Sequence, residues 1–254
     1  MAEGAGPSAD DAVRRRRRTE SSVSAHLDKA APAVQATPSA TAKETAILRP
    51  RLARRLFPSV VFHGPVDRRA VALTIDDGPD PTTTPALLDA LDAAQARATF
   101  FLIGERAATA PALTAEIGAR GHELGHHMWR DRASARLDEA ELIAAMDRTL
   151  AVLAPVARPR WLRPGHGAPT PRLVREAEAR GMRVVVGDVP PADTHLPFPR
   201  LVATYTARMT KPGSIVTVHD GGARGGRARA ILPRLVAKLR RRGLEPVTLG
   251  ELVP

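Results

Sequence analysis

Up to about residue 56 the chain holds neither a helical nor a strand period for long, and from Val71 onward short apolar runs alternate with helical spacings. Val71–Ile75 reads as a strand and Thr83–Ala93 as the helix after it. Thr99–Ile103 is a second strand, followed by a helix over Pro111–Arg120. A helix from about Asp138 to Leu153 carries Leu142, Met146 and Leu150 at helical spacing. Trp161-Leu162 starts a short strand and Pro171–Arg180 makes another helix. Val184–Val186 is a strand, Arg200–Met209 a helix, Ile215–Val218 a strand, and Ala228–Arg241 the last long helix. This alternation predicts an α/β fold with a parallel sheet and helical crossovers. About seven such units fit an incomplete (β/α) barrel as well as an open doubly wound sheet, and no internal repeat decides between them.

Residues 1–56, rich in Ala, Pro, Ser, Thr and Arg, are read as a mostly disordered basic tail, with one domain over residues 57–254. The chain has 254 residues, enough for one α/β barrel domain. There is no cysteine, so a disulfide, a thiolate metal site and a cysteine nucleophile are excluded. A metal would have to be held by His, Asp, Glu or backbone oxygen. The formal net charge of +11 invites a nucleic-acid or membrane-surface reading. Much of the excess sits in the tail, around Arg14–Arg18, and a single tyrosine leaves no basic and aromatic surface on which bases stack. No specific nucleic-acid partner is therefore expected. No apolar run is long enough to span a bilayer, and no secretory apolar stretch follows the arginines, so the chain as written reads as cytoplasmic.

The polar residues at strand ends change this picture, because sites in parallel α/β folds form where the strands' carboxyl ends and their loops converge. After the first strand come Asp76-Asp77-Gly78-Pro79-Asp80. Two adjacent carboxylates point in different directions, so one is free to bind a cation while the other takes a proton from water. Asp80 suits a turn. In Gly121-His122-Glu123-Leu124-Gly125-His126-His127, followed by Asp131, His127 and Asp131 stand four apart, a spacing that shares one face of a helical turn. His122, Glu123 and His126 are read as shaping the loop. Arg163-Pro164-Gly165-His166-Gly167 combines an arginine able to orient a carboxylate with backbone N–H groups for an oxyanion. Asp188 and Asp193 are both candidates to reach a histidine. Ile215–Val218 delivers His219, a candidate general acid.

In their order, T-I-D-D-G-P, A-T-F-F-L-I-G, G-H-E-L-G-x-H, R-P-G-x-G and G-S-I-V-T-V-H-D resemble the polysaccharide deacetylase family (the NodB-homology domain, carbohydrate esterase family 4), over about Val71–Val253. The resemblance implies a deformed (β/α) barrel and a hydrolase that removes N-acetyl or O-acetyl groups from a carbohydrate such as chitin oligomers or peptidoglycan. It implies Asp76 as general base, Arg163 as its orienting partner, His219 as general acid and Asp193 as the carboxylate that tunes it. It implies one divalent metal ion, zinc first, with cobalt or manganese as alternatives, on Asp77, His127 and Asp131. Family members commonly act outside the cell or in its envelope. Three departures mark a variant branch. Asp131 stands where the family usually has a second histidine, Gly165 where it has a second proline, and Thr194 where it has a tryptophan. Two other readings stay open: an inactive carbohydrate-binding relative, or a deacylase of a non-polymeric amide. A third places the function in the arginine tail.

Overall fold

The structure, a computed structural model, describes residues 55–254 apart from Ala168 and Pro190. The tail expected over residues 1–56 lies outside the described residues but for its last two. Seven parallel strands form the sheet: β1 (Ala70–Asp76), β2 (Thr99–Leu102), β3 (Glu123–His126), β4 (Trp161–Leu162), β5 (Arg183–Val184), β6 (Ile215–His219) and β7 (Glu245–Val247). Their order is β5-β4-β3-β2-β1-β6, with β7 pairing the start of β1. The sheet curls until its ends approach at the Val189–Val216 bridge. The architecture is thus a deformed (β/α) barrel, as the resemblance implies, rather than an open doubly wound sheet.

Helices α1 (Thr84–Ala93), α2 (Gly104–Thr109), α3 (Pro111–Ala119), α4 (Glu139–Leu153), α5 (Pro171–Ala179), α6 (Pro199–Met209), α7 (Gly222–Arg241) and α8 (Leu249–Leu252) connect or follow the strands. Their starts are written locally. Asp138 caps α4 by accepting from the Glu141 N–H while Glu141 reaches back to the cap, and α1, α3, α5 and α6 carry proline in the first two positions. The largest apolar cluster joins β1, β2 and β6 to α1 and α7 through residues such as Leu73, Leu88, Phe100, Ile231 and Leu235. A second fills the inside of the curl with Phe101, Trp161 and Ile215, closed from below by Leu249 and Leu252 of α8. A floor of packed side chains therefore lies under the strands' carboxyl ends.

Besides the two short helices α2 and α8, which the sequence pattern does not predict, the elements differ from the sequence expectation at β3, β7 and the start of α7. β3 carries Glu123 and His126 inside the sheet, which hides its strand character. Glu123 accepts from Thr99 Oγ1, Trp161 Nε1 and the Gly250 N–H, so the charge is satisfied by the fold. β7 contains Pro246, tolerated because the strand pairs on one side, with β1. α7 begins six residues earlier than Ala228, at Gly222. Glycines disfavour a helix start on propensity, yet a Cβ on Gly225 would lie 2.5 Å from Thr83 Oγ1, so close packing against the end of the β1 loop requires one.

Candidate active site

Asp76 ends β1 and His219 ends β6, and the two are register partners in adjacent parallel strands. Side chains at paired positions project to the same face, so both reach the carboxyl rim together. Each is held by a buried partner from elsewhere in the chain. Arg163, just past β4, donates from one Nη1 to Asp76 Oδ1 at 2.6 Å and to Thr74 Oγ1 at 2.8 Å. Its guanidinium stacks 4.2 Å from the centre of the Phe101 ring, so the aromatic floor fixes its plane. Asp193, in a short 3-10 turn at Ala192–Thr194, accepts from the His219 backbone N–H at 2.7 Å and from its Nδ1–H at 3.1 Å. That leaves His219 Nε2 as the free ring nitrogen. Burial lowers the imidazole pKa, but the hydrogen bond and charge of Asp193, helped by Asp76 and Asp77, outweigh it and raise the value above the ordinary histidine range.

Of the two aspartates proposed to reach a histidine, Asp193 holds His219. Asp188 accepts from Ser214 Oγ and the Ile215 N–H and so anchors the start of β6; its own histidine is His63, at 3.7 Å.

Asp77 turns away from its neighbour because its backbone is left-handed, with φ of 71°. Its Oδ1 lies 3.4 Å from His127 Nε2, and both residues are buried. His127 Nδ1–H donates to the Arg163 carbonyl at 2.9 Å, which fixes Nε2 as the nitrogen facing Asp77. Burial raises the Asp77 carboxyl, but His127, through hydrogen bond and charge, with His219 and Arg224, brings it down to about 2. The His127 imidazole is likewise lowered by burial and raised further by Asp77 and Asp76, for a net rise.

The expectation that His127 and Asp131 share a helical face is corrected. His127 follows β3 directly, Met128 is left-handed with φ of 63°, and the chain then bends through Asp131 instead of making a helical turn. Asp131 is half-exposed, and its Oδ1 lies 3.7 Å from His166 Nε2 on the loop after β4. Among the described residues no three His, Asp or Glu side chains converge tightly enough to hold a metal. Asp77 and His127 do fit a divalent ion: an anionic oxygen faces an imidazole nitrogen whose partner nitrogen is tied to a carbonyl, the usual support for a ligating histidine. Asp131 does not join them in this arrangement.

The remaining motif residues serve the frame. His126 is fully buried between the Met128 N–H and the Met146 carbonyl, and burial lowers its pKa to about 4. His122 is similarly lowered to about 4 by burial. Asp80 accepts from the Thr82 and Gly222 N–H groups, as a turn residue should. The Gly165 N–H, one candidate oxyanion donor, is already given to Ser134 Oγ at 2.8 Å. A Cβ on Gly165 would lie 2.1 Å from the Arg132 carbonyl, which explains glycine where the family usually has proline: the Asp131 loop packs directly on this backbone.

Several contributors were given no role in the sequence reading, although Thr74 and Asp220 stand within its quoted motifs. Thr74 shares Arg163 with Asp76. Arg106 donates to the Asp77 carbonyl, and Arg224 Nη2 lies 3.4 Å from Asp77 Oδ2. Buried Asp220 accepts from the hydroxyls of Thr83 and Thr84, while its N–H donates to the Asp76 carbonyl at 2.8 Å. This clamp ties the β1 loop to the end of β6.

Comparison with known proteins fits this arrangement. The family model described as polysaccharide deacetylase matches residues 63–185. A peptidoglycan-N-acetylglucosamine deacetylase of Bacillus cereus is 32% identical over 197 residues, covering 76% of this chain and 92% of that protein. A chitooligosaccharide deacetylase of Bradyrhizobium is 34% identical over 200 residues, covering 72% and 90%. Among solved structures, a peptidoglycan N-acetylglucosamine deacetylase in complex with an N-oxidanyl-benzamide superposes with a TM-score of 0.74 at 27% identity, covering 79% of this chain and 95% of the other.

Proposed function

This chain belongs to the polysaccharide deacetylase family, and we propose that it removes N-acetyl groups from an N-acetylated glycan, of the chitooligosaccharide or peptidoglycan kind, with the help of one divalent ion. It is a carbohydrate deacetylase, a hydrolase of carbon–nitrogen bonds outside peptides. The observation that carries the finer reading is the pairing of Asp76 with His219, each on its own strand end and each with its own buried partner.

Amide hydrolysis needs a water made nucleophilic and a nitrogen protonated as it leaves, because an amide anion is too basic to depart alone. Asp76 takes the proton from the attacking water. Arg163 keeps one carboxylate oxygen occupied, so the other faces the water. His219, held as imidazolium by Asp193, delivers a proton from Nε2 to the departing nitrogen. The products are acetic acid, which ionises to acetate by releasing a proton to solvent, and a free amine, and the proton gained by Asp76 balances the one His219 gives up. When bound, a divalent ion polarises the acyl oxygen and acidifies the water. Asp77 and His127 would hold it. We assign Asp131 to the same ion on its motif position, and its contact with His166 across 3.7 Å is weak enough to exchange.

The test is acetate release from N-acetylglucosamine oligomers and from peptidoglycan, before and after chelation. Release that stops on chelation and returns with zinc, cobalt or manganese supports the proposal. Full release after exhaustive chelation contradicts the role of the ion, and no release from any N-acetylated or ester substrate contradicts turnover.

A further inference from the structure

α6 follows the Asp193 turn and packs chiefly on α7. Residues four apart on a helix lie in line, and three lines along α6 have different characters. Val202, Thr206 and Thr210 are buried, as are Ala203 and Ala207 beside them. Arg200, Thr204 and Arg208 make a polar line. Leu201, Tyr205 and Met209 make a third, and Phe198, at the N-cap three residues before Leu201, is its neighbour across the first turn. These four residues are large and apolar, yet they are 52%, 44%, 46% and 63% exposed, respectively. A continuous apolar stripe on a water-facing helix marks a contact surface.

Its charge setting selects the occupant. Between Pro199 and Arg242 stand eleven lysines and arginines and a single acid, Asp220, which is buried. Arg200 and Arg208 each immediately precede a stripe residue, and Lys211 follows its end; all three are exposed and have no acidic partner among the described residues. Two copies of the chain meeting through the stripe would bring arginine lines together with no acid on the face to offset them. A polyanionic glycan would satisfy the arginines but leave Phe198, Leu201 and Met209 in water. An anionic lipid surface takes both features: apolar side chains enter the acyl boundary and cations meet the headgroups.

We infer that α6 docks this enzyme on an anionic bilayer, lying in the interface plane. No described helix is long and apolar enough to cross a membrane, so the contact is peripheral. Phe198 is five residues after Asp193, so the docked end of α6 follows closely on the turn that holds His219.

The experiment is sedimentation of the full chain with vesicles of phosphatidylcholine alone or mixed equally with phosphatidylglycerol. The mixed vesicles should bind at low salt and the neutral ones weakly. Phe198→Ser/Leu201→Ser should weaken binding to the mixed vesicles by roughly tenfold or more, the scale expected from removing buried apolar groups. Its acetate release from a small soluble substrate should stay at the parent level, which shows the variant is folded. A second variant, Tyr205→Trp, should gain blue-shifted emission with the mixed vesicles only. Undiminished binding by the double variant would overturn the inference and leave the arginines as the cause. An unshifted Tyr205→Trp spectrum on bound vesicles would overturn it too. So would a parent chain that self-associates through the stripe, seen as a dimer that the double variant makes monomeric.

Discussion

Asp76 and His219 are gripped by buried partners, Arg163 at 2.6 Å and Asp193 at 3.1 Å, whereas Asp131 meets a half-exposed His166 across 3.7 Å. The first pair of contacts comes from strand ends over a packed floor, where a side chain has little room to choose. The second joins two loops, and solvent competes for both partners. Under the proposed function, the difference separates a half assigned to proton handling, which is built into the sheet, from a half assigned to the cation, which is only partly so. Asp77 and His127 belong to the rigid half by position, one on β1's end and one on β3's, and lean toward the other by role.

The comparison breaks first at Asp76. Asp76→Asn removes the proposed base on the rigid side and should lower kcat by about 10²–10⁴-fold on every substrate, the usual cost of losing a general base. Cation affinity, measured by calorimetry, should hardly move. A large loss of cation binding instead would merge the two halves.

Next in size, His127→Ala should weaken zinc binding by more than about 100-fold, beyond the ~10–100-fold typical of losing an outer partner of a ligand. Titration of chelator-treated protein reads this directly, and unchanged affinity would remove His127 from the site's ligands.

Asp193→Asn sharpens the account of the acid. Asp193 raises the His219 pKa, so protonated acid persists to higher pH than a lone histidine would allow. Without that carboxylate the alkaline limb of the pH–rate profile should move to lower pH. A shift of about one unit would cost roughly tenfold in rate above the limb. A limb that stays in place would mean that another group sets it.

The smallest effect should come from the loose pair. Asp131→Ala should reduce zinc affinity by only about 10-fold, at the low end for an outer partner. Asp131→His should tighten it and change which metal is preferred, since imidazole is a softer donor than carboxylate. A loss as large as that of His127→Ala would show that Asp131 is as firmly committed as the residues on strand ends.

What could be read before folding follows the same division. Asp76, Asp77, Arg163 and His219 sit in or beside apolar runs that announce strands, so the sequence already places them on one rim, whereas Asp193, in a proline-rich loop seven residues past Val186, is distinguished from Asp188 only by folding. β3 was not legible, because a Glu and a His stand in it and are satisfied chiefly by Thr99, Trp161, Gly250 and Met146 from other segments, with the Met128 N–H the one local partner of His126. The helical reading of His127 and Asp131 failed for a backbone reason, the left-handed Met128, which side-chain spacing does not report. Thr74, Ser134, Arg224 and Asp220 matter through contacts spanning tens of residues; Ser134 and Arg224 lie outside the motifs, and for Thr74 and Asp220, which lie inside them, the partners are what the sequence hides. The stripe on α6 fell within an expected helix, yet its exposure depends on which face α7 covers.

The division of labour between Asp76 and His219 is tested most directly by comparing an amide with an ester that has a good leaving group, for the His219→Ala variant. An ester alkoxide of that kind leaves with little protonation, so the account predicts a loss of about 10²–10⁴-fold on the amide and a much smaller loss on the ester. Equal losses on both would contradict it and make His219 a positioning residue rather than the acid.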